Sequence, residues 1–266
     1  EFQHKDFYTY EDFLEIMRLL RAPGGCPWDR EQTHSSICRN FLEETYEVLD
    51  AIDHDDASGM CEELGDVLMQ VAFHAQIEAE RGRFTMANVV DGVARKLVYR
   101  HPHVFGDVQA DTSQQVLANW DVLKRREKGQ RSTADAVEAV PHTLPALWRA
   151  EKIQSKTAKA GFDWTSSLQA LDKLEEEVRE LRAALEAGQA ADAPHGIREE
   201  LGDTLFMAAK IAQMSGVDPE DALHRACDKF DRRFRAVEEA ADKPLPECGE
   251  AELLALWNDA KSHDPS

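Results

Sequence analysis

Two acidic motifs, each occurring twice, are the residues of this chain best suited to chemistry. The pattern E-E-x-x-E stands at 43–47 and 176–180, and the pattern E-L-G-D stands at 63–66 and 200–203. On a helix, acids three or four positions apart share one face. If the two acidic helices of one half face each other, four carboxylates converge.

Converging carboxylates need a counter-charge. Two negative charges about 5 Å apart repel by about 3 kcal/mol at an effective dielectric constant of about 20. Oxygen ligands without His or Cys select hard ions, so the pattern predicts Mg²⁺, with Mn²⁺ as a possible substitute.

The ordinary alternative for such motifs is a solvated acidic helix face, and two details weaken it. Asp66 and Asp203 lie inside apolar segments. Gly65 and Gly202 stand in the middle of predicted helices, where glycine costs about 1 kcal/mol relative to alanine. We therefore expect another helix, or a ligand, to approach closely at these glycines.

The acidic motifs belong to a longer repeat. The spacing K-x-x-x-R occurs at 96–100 and 229–233, and W-x-x-x-K occurs at 120–124 and 257–261. Four elements in the same order indicate an internal duplication of a helical unit. The repeated Lys and Arg pairs could hold phosphate oxygens.

The elements that carry these motifs are predicted to be helices. An apolar stripe with helical spacing follows a possible N-cap at Thr9, a second follows Ser58, and Asp218-Pro219 is a typical helix start. Alternating β patterns are nearly absent, so we expect an all-α fold. The predicted domains are a helical unit at 1–126, a linker at 127–150 and a second helical unit at 151–266.

Composition excludes several classes of protein. The net charge of −20 disfavours binding to nucleic acid or to an anionic membrane surface. No apolar run approaches the roughly 18–20 residues of a membrane span, and the first ten residues do not resemble a signal peptide. The five scattered cysteines form neither a disulfide framework nor a zinc motif. We expect a reduced, cytoplasmic protein.

The motif series resembles the MazG family of nucleoside triphosphate pyrophosphohydrolases, within the all-α NTP pyrophosphatase superfamily. Besides the acidic and basic motifs, the chain carries G-G-C-P-W-D at 24–29, R-H-P-H-V-F at 100–105 and G-F-D-W at 161–164. The resemblance covers nearly the whole chain in a two-unit arrangement. It implies hydrolysis of NTPs to NMP and pyrophosphate, a Mg²⁺ requirement, broad base tolerance and a homodimer in which four-helix units pair.

The resemblance also implies roles for individual residues. The implied metal ligands are Glu177, Glu180, Glu200 and Asp203 in the second half, and Glu44, Glu47, Glu63 and Asp66 in the first. The implied substrate contacts are Lys173, Lys229, Arg233 and Trp257, although Trp257 could equally be an apolar anchor between helices. Glu176 and its counterpart Glu43 could orient or deprotonate the attacking water.

One difference between the halves predicts a ranking. Lys173 stands one turn before Glu176, whereas the first half has the neutral Asn40 at that place. A cation there would meet an incoming triphosphate, and charge-assisted contacts are the stronger ones. We expect residues 151–266 to carry most of the hydrolysis.

Two other classes of function stay open on the sequence. A di-iron carboxylate bundle needs two Glu-x-x-His motifs, and the chain has one internal example, Glu31-x-x-His34. A helical nucleotide-responsive interaction module without catalysis is the other alternative, and the intact acidic sets in both halves speak against it. The sequence does not indicate the preferred NTP.

Overall fold

The structure, a computed structural model, describes residues 2–110, 112–127, 129–188 and 190–264. Its regular secondary structure in these residues is helical throughout, which confirms the all-α prediction. The chain divides into two compact units, Glu1–Lys124 and Arg125–Ser266, called unit 1 and unit 2 below. Among the described helices, none has both the length and the apolar character that a bilayer span requires.

In its described residues, unit 1 contains six helices and most of a seventh, which runs across the boundary. These are α1 (Tyr10–Arg21), α2 (Pro27–Glu31), α3 (Cys38–Asp53), α4 (Ala57–Glu80), α5 (Met86–Arg100), α6 (Pro102–Phe105) and α7 (Ser113–Glu127). The long helices α3 and α4 pack against each other, and α1 and α5 pack against α4. Met17, Phe73 and Ile77 form the centre of the apolar core.

Unit 2 repeats this plan with its own helices. They are α8 (Thr133–Glu138), α9 (Ala146–Ala158), α10 (Ser167–Glu186), α11 (Ile197–Met214), α12 (Pro219–Ala240) and α13 (Glu250–His263), with a short 3-10 turn at Leu245–Glu247. Helices α10 and α11 pack against each other, α9 packs on α11, and α12 packs on α13.

The predicted boundaries at 1–126, 127–150 and 151–266 stay a prediction. Within the segment 127–150, α8 packs on α9, and α9 in turn contacts α11. That segment therefore belongs to unit 2 and contains α8 and the first turn of α9.

The ends of three helices show how local sequence sets the fold. Thr9 caps α1 in a reciprocal capping box with Asp12, as predicted. Asp218 caps α12 by accepting from two backbone N–H groups, with Pro219 in the first turn. The apolar stripe that follows Ser58 lies on α4, which begins at Ala57. The cap is Asp56, whose carboxylate accepts from the backbone of Ser58 and Gly59.

The expectation of close helix packing at Gly65 and Gly202 was wrong within the described residues. A Cβ atom built at either glycine would have no neighbouring atom within 4 Å. Both glycines face open space on α4 and α11. Room for a ligand or for another copy of the chain remains on that side.

Candidate metal centre

The first acidic cluster lies between α3 and α4 in unit 1. Carboxylate oxygens of Glu44, Glu63 and Asp66 lie within 4.8 Å of one another, and all three side chains are half-buried. Glu44 comes from α3, and the other two acids come from α4 three positions apart, so the packing of this helix pair creates the cluster.

Burial and neighbouring negative charges raise the pKa of two acids in this cluster. Burial, followed by the charges of Asp66 and Glu47, raises the pKa of Glu44. Burial and the charges of Glu47 and Glu62 raise the pKa of Glu63. Glu47 lies outside the group of three, but its charge acts on both of these acids. A bound cation would relieve this repulsion.

The second acidic cluster repeats the first between α10 and α11 in unit 2. Carboxylate oxygens of Glu177, Glu200 and Asp203 lie within 4.8 Å of one another. Glu177 and Glu200 are buried, with 7% and 5% of their surface exposed. Both clusters contain only oxygen ligands, which suits a hard divalent cation.

The electrostatics of the second cluster include a lysine. Burial and the charge of Glu177 raise the pKa of Asp203, while Lys173 acts in the opposite direction. Glu180 lies outside the group of three, yet burial and the charges of Glu177 and Glu200 raise its pKa.

Lys173 is bonded directly to this cluster. Its Nζ atom lies 2.6 Å from Glu176 Oε1 and 2.8 Å from Glu177 Oε1. These bonds raise the pKa of Lys173 well above its usual value and lower the pKa of Glu176. The positions are one turn apart on α10, so helical spacing alone brings the three side chains together.

The acids at the matching positions of unit 1 have different bonding partners. Asn40 replaces the lysine, and Glu43 is bonded instead to Arg39, with Nε and Oε1 2.8 Å apart on the exposed face of α3. Glu44 receives a side-chain hydrogen bond from Gln70 of α4. The α10 acid Glu177 is therefore bonded to a cationic lysine, whereas the matching α3 acid Glu44 is bonded to the neutral amide of Gln70.

The predicted phosphate contacts of unit 2 lie on α12 and α13. Lys229 is exposed. Arg233 donates to Asp264 from Nε at 2.8 Å, and both side chains are largely buried. Trp257 packs on Phe230, with ring centroids 5.2 Å apart, which joins α12 to α13.

The matching residues of unit 1 form an aromatic contact. Lys96 is exposed, and Arg100 is buried with its guanidinium 5.1 Å from the ring centroid of Trp120. Lys124 Nζ lies 4.7 Å from the same ring. The repeated Arg is therefore largely buried in both units, against Trp120 in unit 1 and against Asp264 in unit 2.

The G-F-D-W motif anchors a loop on the helix that carries the second cluster. Asp163 accepts from Lys210 Nζ at 2.5 Å, and Lys210 is 1% exposed on α11. Lys210 also lies 5.9 Å from the ring centroid of Trp164 and donates to Gln213. This contact fixes the segment that leads into α10 against α11.

The histidine of the internal Glu-x-x-His motif at 31–34 lies apart from the acidic cluster. His34 Nε2 is 2.5 Å from Glu78 Oε1, and its Nδ1 is 2.7 Å from His74 Nδ1. Glu78 also accepts from Arg83. In the described part of the chain, the two groups with metal-ligand geometry contain carboxylates alone, which is unlike a di-iron site.

Two residues at these sites were not found from the sequence. Gln70 lies one turn after Asp66 on α4, so the spacing places it on the same helix face. A single Gln in an apolar segment is not a recognised motif, however. Asp264 lies 31 positions after Arg233, and only the packing of α12 on α13 brings the two together.

Comparisons with a family model and with individual known proteins identify the same family. The profile described as the MazG nucleotide pyrophosphohydrolase domain matches the chain twice, at residues 32–105 and 165–237. The nucleoside triphosphate pyrophosphohydrolase of Escherichia coli strain K12 is 46% identical over 226 residues, which cover 85% of each chain. The nucleoside triphosphate pyrophosphohydrolase/pyrophosphatase MazG of Thermotoga maritima is 41% identical over 258 residues, 96% of each chain.

Each matched range contains one complete acidic cluster together with one K-x-x-x-R pair. The chain belongs to the MazG nucleotide pyrophosphohydrolase family.

Proposed function

We propose that this protein is a Mg²⁺-dependent hydrolase that converts nucleoside triphosphates and deoxynucleoside triphosphates to the monophosphate and pyrophosphate, with broad base tolerance and a housekeeping role in the nucleotide pool. The observation that carries the proposal is the pair of carboxylate clusters, each made by two packed helices of a duplicated unit. The names of the relatives from E. coli and T. maritima, nucleoside triphosphate pyrophosphohydrolases, support it.

The residues present suit a hard divalent cation. Each cluster offers three converging carboxylates and no soft ligand, and burial together with neighbouring negative charges raises the pKa of Glu44, Glu63 and Asp203. We assign the metal-ligand roles to Glu177, Glu180, Glu200 and Asp203 in unit 2, and to Glu44, Glu47, Glu63 and Asp66 in unit 1. Mg²⁺ supplies charge stabilisation for phosphate oxygens and activates water; Mn²⁺ could replace it.

Lys173 has a proposed role in binding the triphosphate. An ammonium group has three N–H donors, and Lys173 uses two of them on Glu176 and Glu177. The third can donate to a phosphate oxygen. When a divalent cation shares the charge of Glu177, the lysine is held less tightly there and can turn further towards substrate.

Glu176 keeps the proposed role beside the attacking water. Its side chain is half exposed, and the bond from Lys173 lowers its pKa. A carboxylate of low pKa is a weak proton acceptor at neutral pH. Orientation of the water is therefore a better-supported role for Glu176 than removal of its proton.

The remaining substrate contacts are proposed on α12 and α13. Lys229 is exposed and can reach an anion in solvent. Arg233 would exchange its bond with Asp264 for a bond with phosphate, which is one charge-assisted bond for another. Trp257 packs on Phe230 and so joins α12 to α13. We propose that it contacts the nucleotide as well.

We also propose a homodimer. Helices that carry the acidic motifs expose large apolar side chains: Leu42, Tyr46, Leu49, Leu64, Leu68, Val178, Leu185, Leu201, Leu205 and Phe206. Pairing with a second copy would cover such faces, and symmetric dimers are the common solution. Light scattering should report about 60 kDa, twice the 30.0 kDa of the chain. A monomer at micromolar concentration would contradict this proposal.

A cytoplasmic location completes the proposal. All five cysteines are free thiols, two of them half-buried and three exposed. Such thiols persist in a reducing compartment.

The test is product analysis with the purified full chain. Each NTP and dNTP is incubated with Mg²⁺, and products are separated by anion-exchange chromatography. We expect monophosphate and pyrophosphate in equal amounts, with no orthophosphate, and loss of turnover in EDTA. Full turnover in EDTA would exclude the metal clusters as the active centre.

A control and an iron assay separate the alternatives. Glu175→Gln removes one exposed negative charge beside the E-E-x-x-E motif and should leave turnover unchanged. A nucleotide-responsive module would bind NTP without products. A di-iron protein would contain iron and absorb visible light.

A further inference from the structure

Gln70 has a buried polar atom that the chain itself does not satisfy. Gln70 lies on α4, one turn after Asp66, and 6% of its surface is exposed. Its Oε1 atom has no hydrogen-bond partner among the described residues. A buried amide oxygen without a partner costs free energy, so such atoms are rare and call for a specific explanation.

The same side chain touches the acidic cluster of unit 1. Gln70 makes a side-chain hydrogen bond to Glu44, the α3 member of the cluster, and its amide N–H is the donor. Positions 66 and 70 are four apart on one helix, so Gln70 shares the face of α4 that presents Asp66. The unpaired oxygen therefore belongs to a side chain already bonded to the cluster.

Unit 2 has no polar group at this position. The residue four positions after Asp203 is Met207, which is 4% exposed. A buried thioether fits the same space without any need for hydrogen bonds. The duplication thus carries an amide beside one cluster and an apolar side chain beside the other.

We propose that Gln70 belongs to the cation site of unit 1, where its N–H holds Glu44 and its unpaired Oε1 provides a neutral oxygen for the cation or one of its waters. An amide oxygen is a hard ligand of the kind that Mg²⁺ and Mn²⁺ accept. The inference rests on the cation binding proposed above and gives the site of unit 1 a neutral side chain, one that both holds a ligand and offers an oxygen, which unit 2 lacks.

The surroundings of the carboxylates rank the two units as cation sites. Of the four carboxylates assigned above in each unit, three converge. In unit 1 an amide joins them, with neutral Asn40 at the place of the lysine, and in unit 2 one of them is bonded to Lys173. Without nucleotide, unit 1 is the tighter cation site.

The experiment measures Mn²⁺ binding to the full chain without nucleotide, from the electron paramagnetic resonance signal of free Mn²⁺. Asp203→Asn is present throughout, so that binding reports unit 1. Gln70→Met, which copies the residue of unit 2, should weaken Mn²⁺ binding by about 10- to 100-fold, the usual effect of losing a residue that orients a metal ligand.

Thermal unfolding in EDTA separates this role from a structural one. Gln70→Met removes the unpaired oxygen, so the metal-free chain should unfold at the same temperature or higher. An Mn²⁺ affinity within about twofold of the Asp203→Asn chain would overturn the inference, and so would weaker binding matched by an equal loss of metal-free stability.

Gln70→Glu is a second variant, which keeps an oxygen and adds a negative charge. It should bind Mn²⁺ at least as tightly as the Asp203→Asn chain and be less stable in EDTA. Weakening as large as that of Gln70→Met would show that the oxygen is unused. Pyrophosphate release by the unsubstituted chain is measured in parallel. If it proceeds while Gln70→Met binds Mn²⁺ normally, the inference about Gln70 fails and the proposed function stands.

Discussion

The two acidic clusters are alike in their carboxylates and different in what surrounds them. In unit 1 the α3 acid Glu44 is bonded to the neutral Gln70, and in unit 2 the corresponding Glu177 is bonded to Lys173. Each cluster keeps three acids within 4.8 Å. The duplication therefore preserved the three carboxylates and changed the charge next to them.

The lysine affects two properties of a cluster, its attraction for a divalent cation and its attraction for the triphosphate. A cluster without a lysine attracts a divalent cation strongly, because no internal positive charge competes for its carboxylates. A cluster with a lysine attracts the cation less strongly but offers a donor to the negative triphosphate. We therefore expect unit 1 to favour cation retention and unit 2 to favour hydrolysis.

The largest expected effect comes from disabling both clusters. Asp66→Asn together with Asp203→Asn removes one ligand from each and should reduce pyrophosphate release about a thousandfold, because metal charge stabilisation contributes several kcal/mol and each 1.4 kcal/mol is tenfold in rate. Glu175→Gln is the matched control. Hydrolysis by the double variant at more than a tenth of the normal rate would place catalysis outside the clusters.

Removal of the lysine should have the next largest effect. Lys173→Asn makes unit 2 resemble unit 1 and should reduce kcat/KM about tenfold, the result of losing roughly 1.4 kcal/mol of substrate binding in the transition state. Mn²⁺ affinity of unit 2, measured with Asp66→Asn present, should increase because the competing ammonium is gone. A fall in both quantities would indicate that Lys173 only supports the fold.

The reverse substitution tests the same comparison in unit 1. Asn40→Lys places an ammonium three and four positions before Glu43 and Glu44, the spacing of Lys173 in unit 2. With Asp203→Asn present, it should weaken Mn²⁺ binding and increase pyrophosphate release several-fold, on the order of the 1 kcal/mol by which charged hydrogen bonds exceed neutral ones. Arg39, which already holds Glu43, limits the gain. No change in either quantity would contradict the role given to the lysine.

The smallest effect is a difference in pH dependence. Raised pKa values mean that Glu44 and Glu63 hold protons more tightly than ordinary glutamates, so protons displace the cation as pH falls through those values, and affinity is complete above them. In unit 2, Lys173 opposes the rise in the pKa of Asp203 and Glu180. Calorimetry with Mn²⁺ from pH 7 to 5 should show unit 1 losing affinity at the higher pH. Equal midpoints would remove the electrostatic basis of the comparison.

Much of the fold and the centre of each cluster could be predicted because both depend on local spacing. Helical periodicity predicted the helices, and acids three or four apart predicted the shared faces of α3, α4, α10 and α11. Glu47 and Glu180 also share these faces, but the groups of three form without them. Which members of a broad face converge depends on side-chain packing, which spacing does not specify.

The remaining features depend on contacts that are distant in the sequence or have no local signature. Arg233 and Asp264 are 31 positions apart and meet through the packing of α12 on α13. Gln70 gains its significance from Glu44 on another helix. The glycines of both E-L-G-D motifs suggested close helix packing, but the structure has open space there.

Single substitutions test the central comparison most directly. Asp66→Asn and Asp203→Asn are assayed separately for pyrophosphate release with Mg²⁺ and saturating NTP, with Glu175→Gln as control. We predict that Asp203→Asn removes most of the rate and that Asp66→Asn retains most of it, because unit 2 has the lysine that meets the triphosphate. If Asp66→Asn removes the rate while Asp203→Asn retains it, the assignment of hydrolysis to unit 2 is wrong.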